Sequence, residues 1–309
     1  MADFTLKQLR YFEALARHLH FGNAADVCAI SQPALSMQIK DLESMIGAAL
    51  FERSARQVRL TSFGADFALR AREILLAADE LGDLARASGD MMTGRLRLGI
   101  IPTVAPYLLP TLIGNLQASY PGADLHIRET LTPRLIEEVS DGKLDAAIVA
   151  LPIDEPSFEE VALFTEDFVL VRPLIDANKP VPARETLRDM RLLLLEEGHC
   201  FRDQALSFCN VATLRPWDGL DGSSLSTLVQ MVGANMGITL LPEMAIAVEA
   251  RAAPVAISRF EGSPPSRTIG MIWRKSNPLS KRFAQVAKVV KGSGQQIRKP
   301  ATETCLTAV

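Results

Sequence analysis

Cysteine is scarce in this chain: Cys28, Cys200, Cys209 and Cys305 are the only four among 309 residues. A secreted scaffold stapled by disulfides would carry them more densely, and a reducing compartment disfavours structural bridges. The four histidines form no spacing with cysteines or carboxylates of the kind zinc requires, so no metal is expected, and no cofactor. No apolar run of about 18 residues is free of charge or proline, which argues against a spanning helix and a membrane partner. Met1 to Arg10 lack a signal-peptide core, and the expected location is cytoplasmic. A net charge of −3 excludes nucleic-acid binding over the whole surface and requires any such surface to be local. The length allows two or three domains, each with its own core.

The first sixty residues hold one local candidate. Phe4, Leu9, Phe12, Leu15 and Ala16 recur at helical spacing, with Lys7, Arg10 and Arg17 on the other face. Asn23 to Val27 is a short helix whose alanines permit close approach. Ser31 can cap the next helix, Pro33 fits its first turn, and Leu35, Ile39, Leu42 and Ile46 make its buried stripe. Two short helices joined by a tight turn form a helix-turn-helix, and the second fits a major groove. Its open face offers Gln32, Ala34, Ser36, Met37, Gln38 and Lys40; Arg53, Arg56 and Arg59 follow on a loop or wing suited to phosphates. An ordinary helical pair with a charged surface has the same spacing. Cys28 reads as a small packing residue.

Thr61 to Arg86 lacks proline and places Phe67, Ala71, Ile74, Ala78, Leu81 and Ala85 at intervals of four and three, a short heptad-like seam that fits a dimerisation helix. Ala87 to Gly94 reads as a hinge. Beyond it the chain alternates strand and helix: strands at Leu96–Ile101, Asp124–Thr130 and Ala146–Ala150, with helices at Tyr107–Ser119 and from Leu131 to near Gly142. That order is the signature of a mostly parallel sheet. Phe168–Val171 is a strand and crossover. A second α/β unit from about Pro173 includes strands at Arg191–Leu195, Gly237–Pro242 and Val255–Ser258, a feature at Leu214–Trp217 and a helix from Leu225. Arg267–Trp273 crosses back, Lys281–Lys291 is a helix, and the polar stretch from Gly292 reads as a flexible tail carrying Cys305. Thr103 and Thr132 head loops that would face an interlobe cleft, either to bind a small polar molecule or to cap helices.

Cys200 and Cys209 lie nine positions apart, with His199 before the first and Arg202 two residues after it. A thiolate at Cys200 would meet the N–H groups of a starting helix and the charge of Arg202. It could attack a peroxide O–O bond to form a sulfenic acid, for which Cys209 is the obvious second thiol. Nine residues of intact helix span about 13.5 Å, whereas disulfide Cα atoms lie within about 7 Å, so closure would require refolding. Two thiols buried beside an apolar strand are the plainer alternative.

Ala24-Ala25, Ser31-Gln32-Pro33-Ala34-Leu35-Ser36, Leu50-Phe51-Glu52-Arg53 and Leu60-Thr61-Ser62-Phe63-Gly64 resemble the winged helix-turn-helix of LysR-type transcriptional regulators. Ile101-Pro102-Thr103-Val104, Glu196-Glu197-Gly198-His199-Cys200, Phe208-Cys209, Gly237 to Pro242 and Arg267-Thr268-Ile269-Gly270 resemble the peroxide-sensing branch of that family. The stretch Asn210 to Gly222 departs from the pattern: it is short and carries Trp217. The resemblance implies a DNA-binding domain at 1–61 and a linker helix and hinge at 62–94. It implies a two-lobed, periplasmic-binding-protein-like α/β regulatory domain at 95–291, with lobe I at about 95–171 and 268–291, lobe II at about 172–267, and a tail at 292–309. DNA contacts would come from Ser31, Gln32, Pro33, Ala34, Ser36, Gln38, Lys40, Arg53 and Arg56. Cys200 would be peroxidatic and Cys209 resolving. Thr103, Thr132, His199 and Arg267 would form the peroxide pocket or its support, beside Arg202, with Asp203 organising the site. The implied protein is not an enzyme but an activator or repressor of antioxidant genes. Its partners would be promoter DNA, RNA polymerase, further copies of itself as homodimer and homotetramer, hydrogen peroxide, and glutaredoxin or thioredoxin as reductant. The alternatives are a regulator that binds a metabolite in the same cleft and a thiol peroxidase.

Overall fold

A computed structural model describes residues 4–53, 57–87, 94–187, 190–208, 222–251, 253–260, 262 and 264–298. Cys209, Arg56, Cys305 and Leu214–Trp217 lie outside them. The chain divides into two compact units, Met1–Ala85 and Arg86–Val309.

The N-terminal unit runs α1 (Leu6–His18), α2 (Phe21–Val27), α3 (Gln32–Ile46), β1 (Phe51–Arg53), β2 (Val58–Leu60) and α4 (Ser62–Ala87). Local chemistry sets the helix ends. A capping box joins Thr5 and Gln8 at the start of α1. Ser31 accepts from the Ala34 N–H at 3.4 Å to cap α3, Pro33 occupies the first turn, and Gly47 ends the helix at φ +75°. The buried stripe Leu35, Ile39 and Leu42 packs with Leu9, Leu15 and Phe12. The Phe12 ring lies 5.4 Å from Phe51 and 5.0 Å from Phe67. The Glu43 carboxylate accepts the N–H groups of Leu50 and Phe51, at 2.9 and 3.1 Å, which fixes the entry to the β1–β2 wing.

The expected seam on α4 needs correction. Ala71 is buried and Phe67 packs on the core of this same unit, so the first half of the helix belongs to the head. Ile74, Leu81 and Leu84 are exposed, so an uncovered stripe begins only at Ile74.

The C-terminal unit contains β3 (Gly94–Ile100), α5 (Ala105–Ser119), β4 (Ala123–Glu129), α6 (Thr132–Ser140), β5 (Ala146–Leu151) and β6 (Phe158–Pro173). It continues with α7 (Arg184–Leu187), α8 (Cys200–Phe208), α9 (Leu225–Gly233), β7 (Thr239–Pro242), α10 (Ile246–Glu249), β8 (Val255–Ser258), β9 (Ser266–Arg274) and α11 (Ser280–Arg298). Strand order is β4-β3-β5-β9-β6-β7, with β8 also on β6. β3 pairs in parallel with β4 and β5, and β9 lies antiparallel between β5 and β6. The far half of β6 pairs with β7 and β8, so this one strand runs from the first lobe into the second.

Three expectations change. The strand expected at Phe168 begins at Phe158; the charged residues Glu159, Glu160, Glu166 and Asp167 break the apolar run, but the ladder with β9 continues through them. The strand expected at Arg191–Leu195 is reduced to single parallel bridges, Leu192 with Ile238 and Leu195 with Gly222. Between them the Leu193 carbonyl accepts the Thr239 hydroxyl at 2.8 Å. The tail expected from Gly292 is helical as far as Arg298. Small residues allow it: a Cβ on Gly294 would sit 2.3 Å from the Phe164 ring, and the buried Ser293 hydroxyl accepts from Asn115 at 2.8 Å.

Candidate functional site

Residues far apart in sequence meet around Arg267 on β9. Its Nη1 donates to Thr103 Oγ1 at 2.8 Å and its Nη2 to the Thr103 carbonyl at 3.1 Å. Its Nε donates to Glu166 Oε1 on β6 at 2.8 Å. Both side chains of this ion pair are fully buried. Glu166 Oε2 accepts the Met244 N–H at 3.2 Å, which carries the network into the second lobe. Such a pair, with its lone pairs satisfied, persists away from water where a single charge would not.

The same guanidinium faces two rings. Its Cζ lies 5.5 Å from the Phe201 centroid and 5.9 Å from that of Phe168. The rings stand edge to face, 4.9 Å apart at 70°. Phe201 follows Cys200, and Cys200 is the first residue of α8, a half-buried free thiol. One chain of contacts therefore runs from Thr103 through Arg267 to the residue beside Cys200.

A second contact approaches the other side of that turn. Gly198 adopts φ +92°, and a Cβ there would lie 3.1 Å from Leu131 Cδ1. Leu131 is the N-cap of α6 and contributes no side-chain cap; Thr132 begins the helix, and its buried Oγ1 has no hydrogen-bond partner. Neither threonine is a helix cap: Thr103 serves Arg267, and Thr132 holds an unused hydroxyl. His199 is 8% exposed. Burial lowers its pKa and favours the neutral imidazole, against a smaller opposing pull from Glu196.

Two residues stand differently from expectation. Arg202 Nη1 donates to the Leu195 carbonyl at 2.6 Å, so it ties α8 to the preceding segment instead of only supplying charge to Cys200. Asp203 is exposed in the first turn of α8, where a carboxylate complements the helix dipole. Glu166 and Phe168, the partners of Arg267, are missed by sequence pattern; the paired strands that bring Glu166 opposite Arg267 were not legible as one long ladder. Sequence pattern also misses Glu249, which is buried and accepts Tyr107 Oη at 2.7 Å and Ser226 Oγ at 2.9 Å. Burial, then this bond, raises the Tyr107 pKa and keeps the phenol a donor.

A cavity of about 420 Å³ lies elsewhere, lined by Arg97, His126, Arg128, Glu129 and Lys143 among others. Its basic side chains already have carboxylate partners: Arg97 with Asp145, Arg128 with Glu138, Lys143 with Asp141 and His126 with Asp124. Among the described residues no cluster of histidine, cysteine and carboxylate could hold a metal.

In the N-terminal unit, Gln32, Pro33, Met37 and Lys40 are exposed on α3, with Ala34, Ser36 and Gln38 half-buried beside them and Arg59 exposed on β2. The Ser31 hydroxyl is committed to the cap. Arg53 belongs to the wing backbone, paired with Val58. Burial, then the charge of Glu13, raises the pKa of half-buried Cys28 and keeps that thiol protonated.

Comparison with known proteins gives two family matches: a bacterial regulatory helix-turn-helix protein, lysR family, over residues 6–65, and a LysR substrate binding domain over residues 89–295. A probable hydrogen peroxide-inducible genes activator of Streptomyces viridosporus is 40% identical over 292 residues, covering 93% of each chain. A full-length OxyR variant from Pseudomonas aeruginosa superposes with a TM-score of 0.73 at 36% identity, over 93% of this chain and 95% of that one. An H2O2-bound OxyR mutant from Corynebacterium glutamicum gives 0.65 at 35% identity, over 95% and 93%.

Proposed function

We propose, for a chain that belongs to the LysR family of transcriptional regulators and to its OxyR branch, a DNA-binding regulator that senses hydrogen peroxide at Cys200. The observation that carries this reading is the placement of Cys200. It is a half-buried free thiol opening α8, one residue from a ring packed on Arg267, and its preceding turn touches the start of α6, where the Thr132 hydroxyl has no partner. Hydrogen peroxide both donates and accepts hydrogen bonds and oxidises a thiol, which suits a free thiol and a buried hydroxyl on neighbouring turns.

The chemistry follows from the groups present. Cys200 thiolate attacks one peroxide oxygen; the S–O bond forms, the O–O bond breaks, and the departing oxygen leaves as water after protonation. The sulfenic acid then meets the Cys209 thiol, an S–S bond replaces S–O, and a second water leaves. Two hydrogens are lost from the protein. A dithiol of the glutaredoxin or thioredoxin class returns two electrons. One peroxide leaves one disulfide, and Cys200 reacts again only after a reductant resets it, so it acts stoichiometrically as a switch. Thr103, Arg267 and His199 frame the thiol, and Asp203 and Arg202 hold the helix that carries it.

The output is read by DNA. The exposed positions of α3 face a major groove, and Arg53, Arg56 and Arg59 of the wing face phosphates. The exposed stripe of α4 from Ile74 pairs two copies, and two pairs form a tetramer on promoter DNA, where RNA polymerase is engaged. The division 1–61, 62–94 and 95–291 serves these three tasks. No helix among the described residues is long and apolar enough to cross a membrane, and action on promoters places the protein in the cytoplasm.

Footprints on target-promoter DNA with and without peroxide test the assignment. The expected result is a protected length that changes with peroxide in the wild type and not in Cys200→Ser. A peroxide response that survives Cys200→Ser overturns it, and a response to a metabolite instead identifies a ligand-binding regulator.

A further inference from the structure

The helix that carries Cys200 is held at both ends by aromatic pairs. At its start Phe201, 1% exposed, is packed edge to face on Phe168 and lies under the Arg267 guanidinium. At its end half-buried Phe208 packs on Phe260 with centroids 5.2 Å apart. Phe201 directly follows the first cysteine and Phe208 directly precedes the second. Neither pair has a place in the peroxide chemistry, yet both restrain the only helix that this chemistry must break.

We propose that Phe201 is a positioning residue with two opposed effects: it seats Cys200 for attack on peroxide and delays the condensation that follows. The inference rests on the peroxide reading above. Before oxidation, the ring fixes the first turn of α8 on the Thr103–Arg267–Glu166 network, which is buried and saturated with hydrogen bonds. Cys200 and Phe208, the ends of α8, lie eight residues and about 12 Å apart on an intact helix. One further residue reaches about 3.8 Å and a disulfide needs Cα atoms within about 7 Å, so α8 must unwind, and the inferred release includes its first turn. Letting go withdraws the Phe201 ring from Phe168 and Arg267. The sulfenic acid therefore persists for as long as that ring stays seated, and the protein reports sustained peroxide in preference to a brief pulse. The Phe208–Phe260 pair adds a second, shallower restraint far from the attacking sulfur.

Rapid-quench mass spectrometry on the full-length protein separates the two steps, with a sulfenate-trapping dione as probe. Sulfenic acid formation is read in the Cys209→Ser background, and condensation in chains that retain both cysteines. An aromatic pair plus a buried cation–π contact accounts for a change of about tenfold. Phe201→Leu is expected to slow sulfenic acid formation about threefold or more and to speed condensation about tenfold. Phe168→Leu removes the partner ring without touching α8 and should give the same opposed changes. Phe260→Leu should speed condensation alone. Global loosening would not move the two steps in opposite directions. Condensation that is unchanged or slower in both Phe201→Leu and Phe168→Leu overturns the inference while leaving the peroxide reading intact. A wild-type protein that forms no disulfide overturns both.

Discussion

The Thr103 corner and the Thr132 corner flank the same cysteine turn and are built in opposite ways. Thr103 is 3% exposed, and both its hydroxyl and its carbonyl are bound by Arg267, whose charge is met by Glu166. Thr132 is also buried, at 9% exposed, and its hydroxyl has no partner. One corner spends its polar groups on the fold. The other leaves the Thr132 hydroxyl unpaired, near the turn that precedes His199, whose imidazole burial keeps neutral. Saturated networks hold a fixed geometry, whereas an unpaired buried hydroxyl costs stability and persists where something else uses it. The difference fits the proposed roles, orientation for the first corner and ligand contact for the second.

The largest effect should come from unbalancing the saturated corner. Glu166→Gln leaves Arg267 as an uncompensated buried charge and should destabilise the C-terminal unit by about 3–5 kcal/mol in chemical denaturation. A loss below about 1 kcal/mol would mean that this corner does not hold the fold.

An opposite sign is expected across the turn. Thr132→Val removes the unpaired hydroxyl at nearly constant shape. It should leave stability unchanged or raise it by about 1 kcal/mol, while the reaction of Cys200 with peroxide slows. Lower stability with an unaltered reaction would erase the contrast between the corners.

The smallest effect is one of pH. The lowered pKa of His199 means that the unfolded chain takes up a proton first as pH falls through about 6.5. Stability of the C-terminal unit should therefore decline on acidification below that value and level off once the folded state also binds the proton. In His199→Gln the decline should be shallower, as read from melting temperatures across that range. Equal slopes would show that His199 is not held neutral.

Sequence pattern located most of this architecture, because the helices of the head repeat apolar residues at intervals of three and four and the core strand β5 is a continuous apolar run. It lost track where side chains took over from periodicity. β6 was read from Phe168 only, because Glu166 looks like a surface residue until Arg267 is placed against it. Residues 191–195 look like a strand until Thr239 takes the Leu193 carbonyl. On α4, the heptad reading could not separate Phe67 and Ala71, which pack on the head, from the exposed Ile74 and Leu81. At the site, Cys200 and His199 stand out from their spacing and helix start, Thr103 and Thr132 from their loops, and Arg267 from motif resemblance. The difference between the two threonines is a matter of partners and lay beyond any motif.

The central claim is that Cys200 is oxidised by peroxide and condenses with Cys209. Intact-protein mass after one equivalent of hydrogen peroxide tests it most directly. The expected result is a loss of two hydrogens that thiol reductant reverses and that is absent in both Cys200→Ser and Cys209→Ser. An unchanged wild-type mass, or the same loss in either variant, would contradict it.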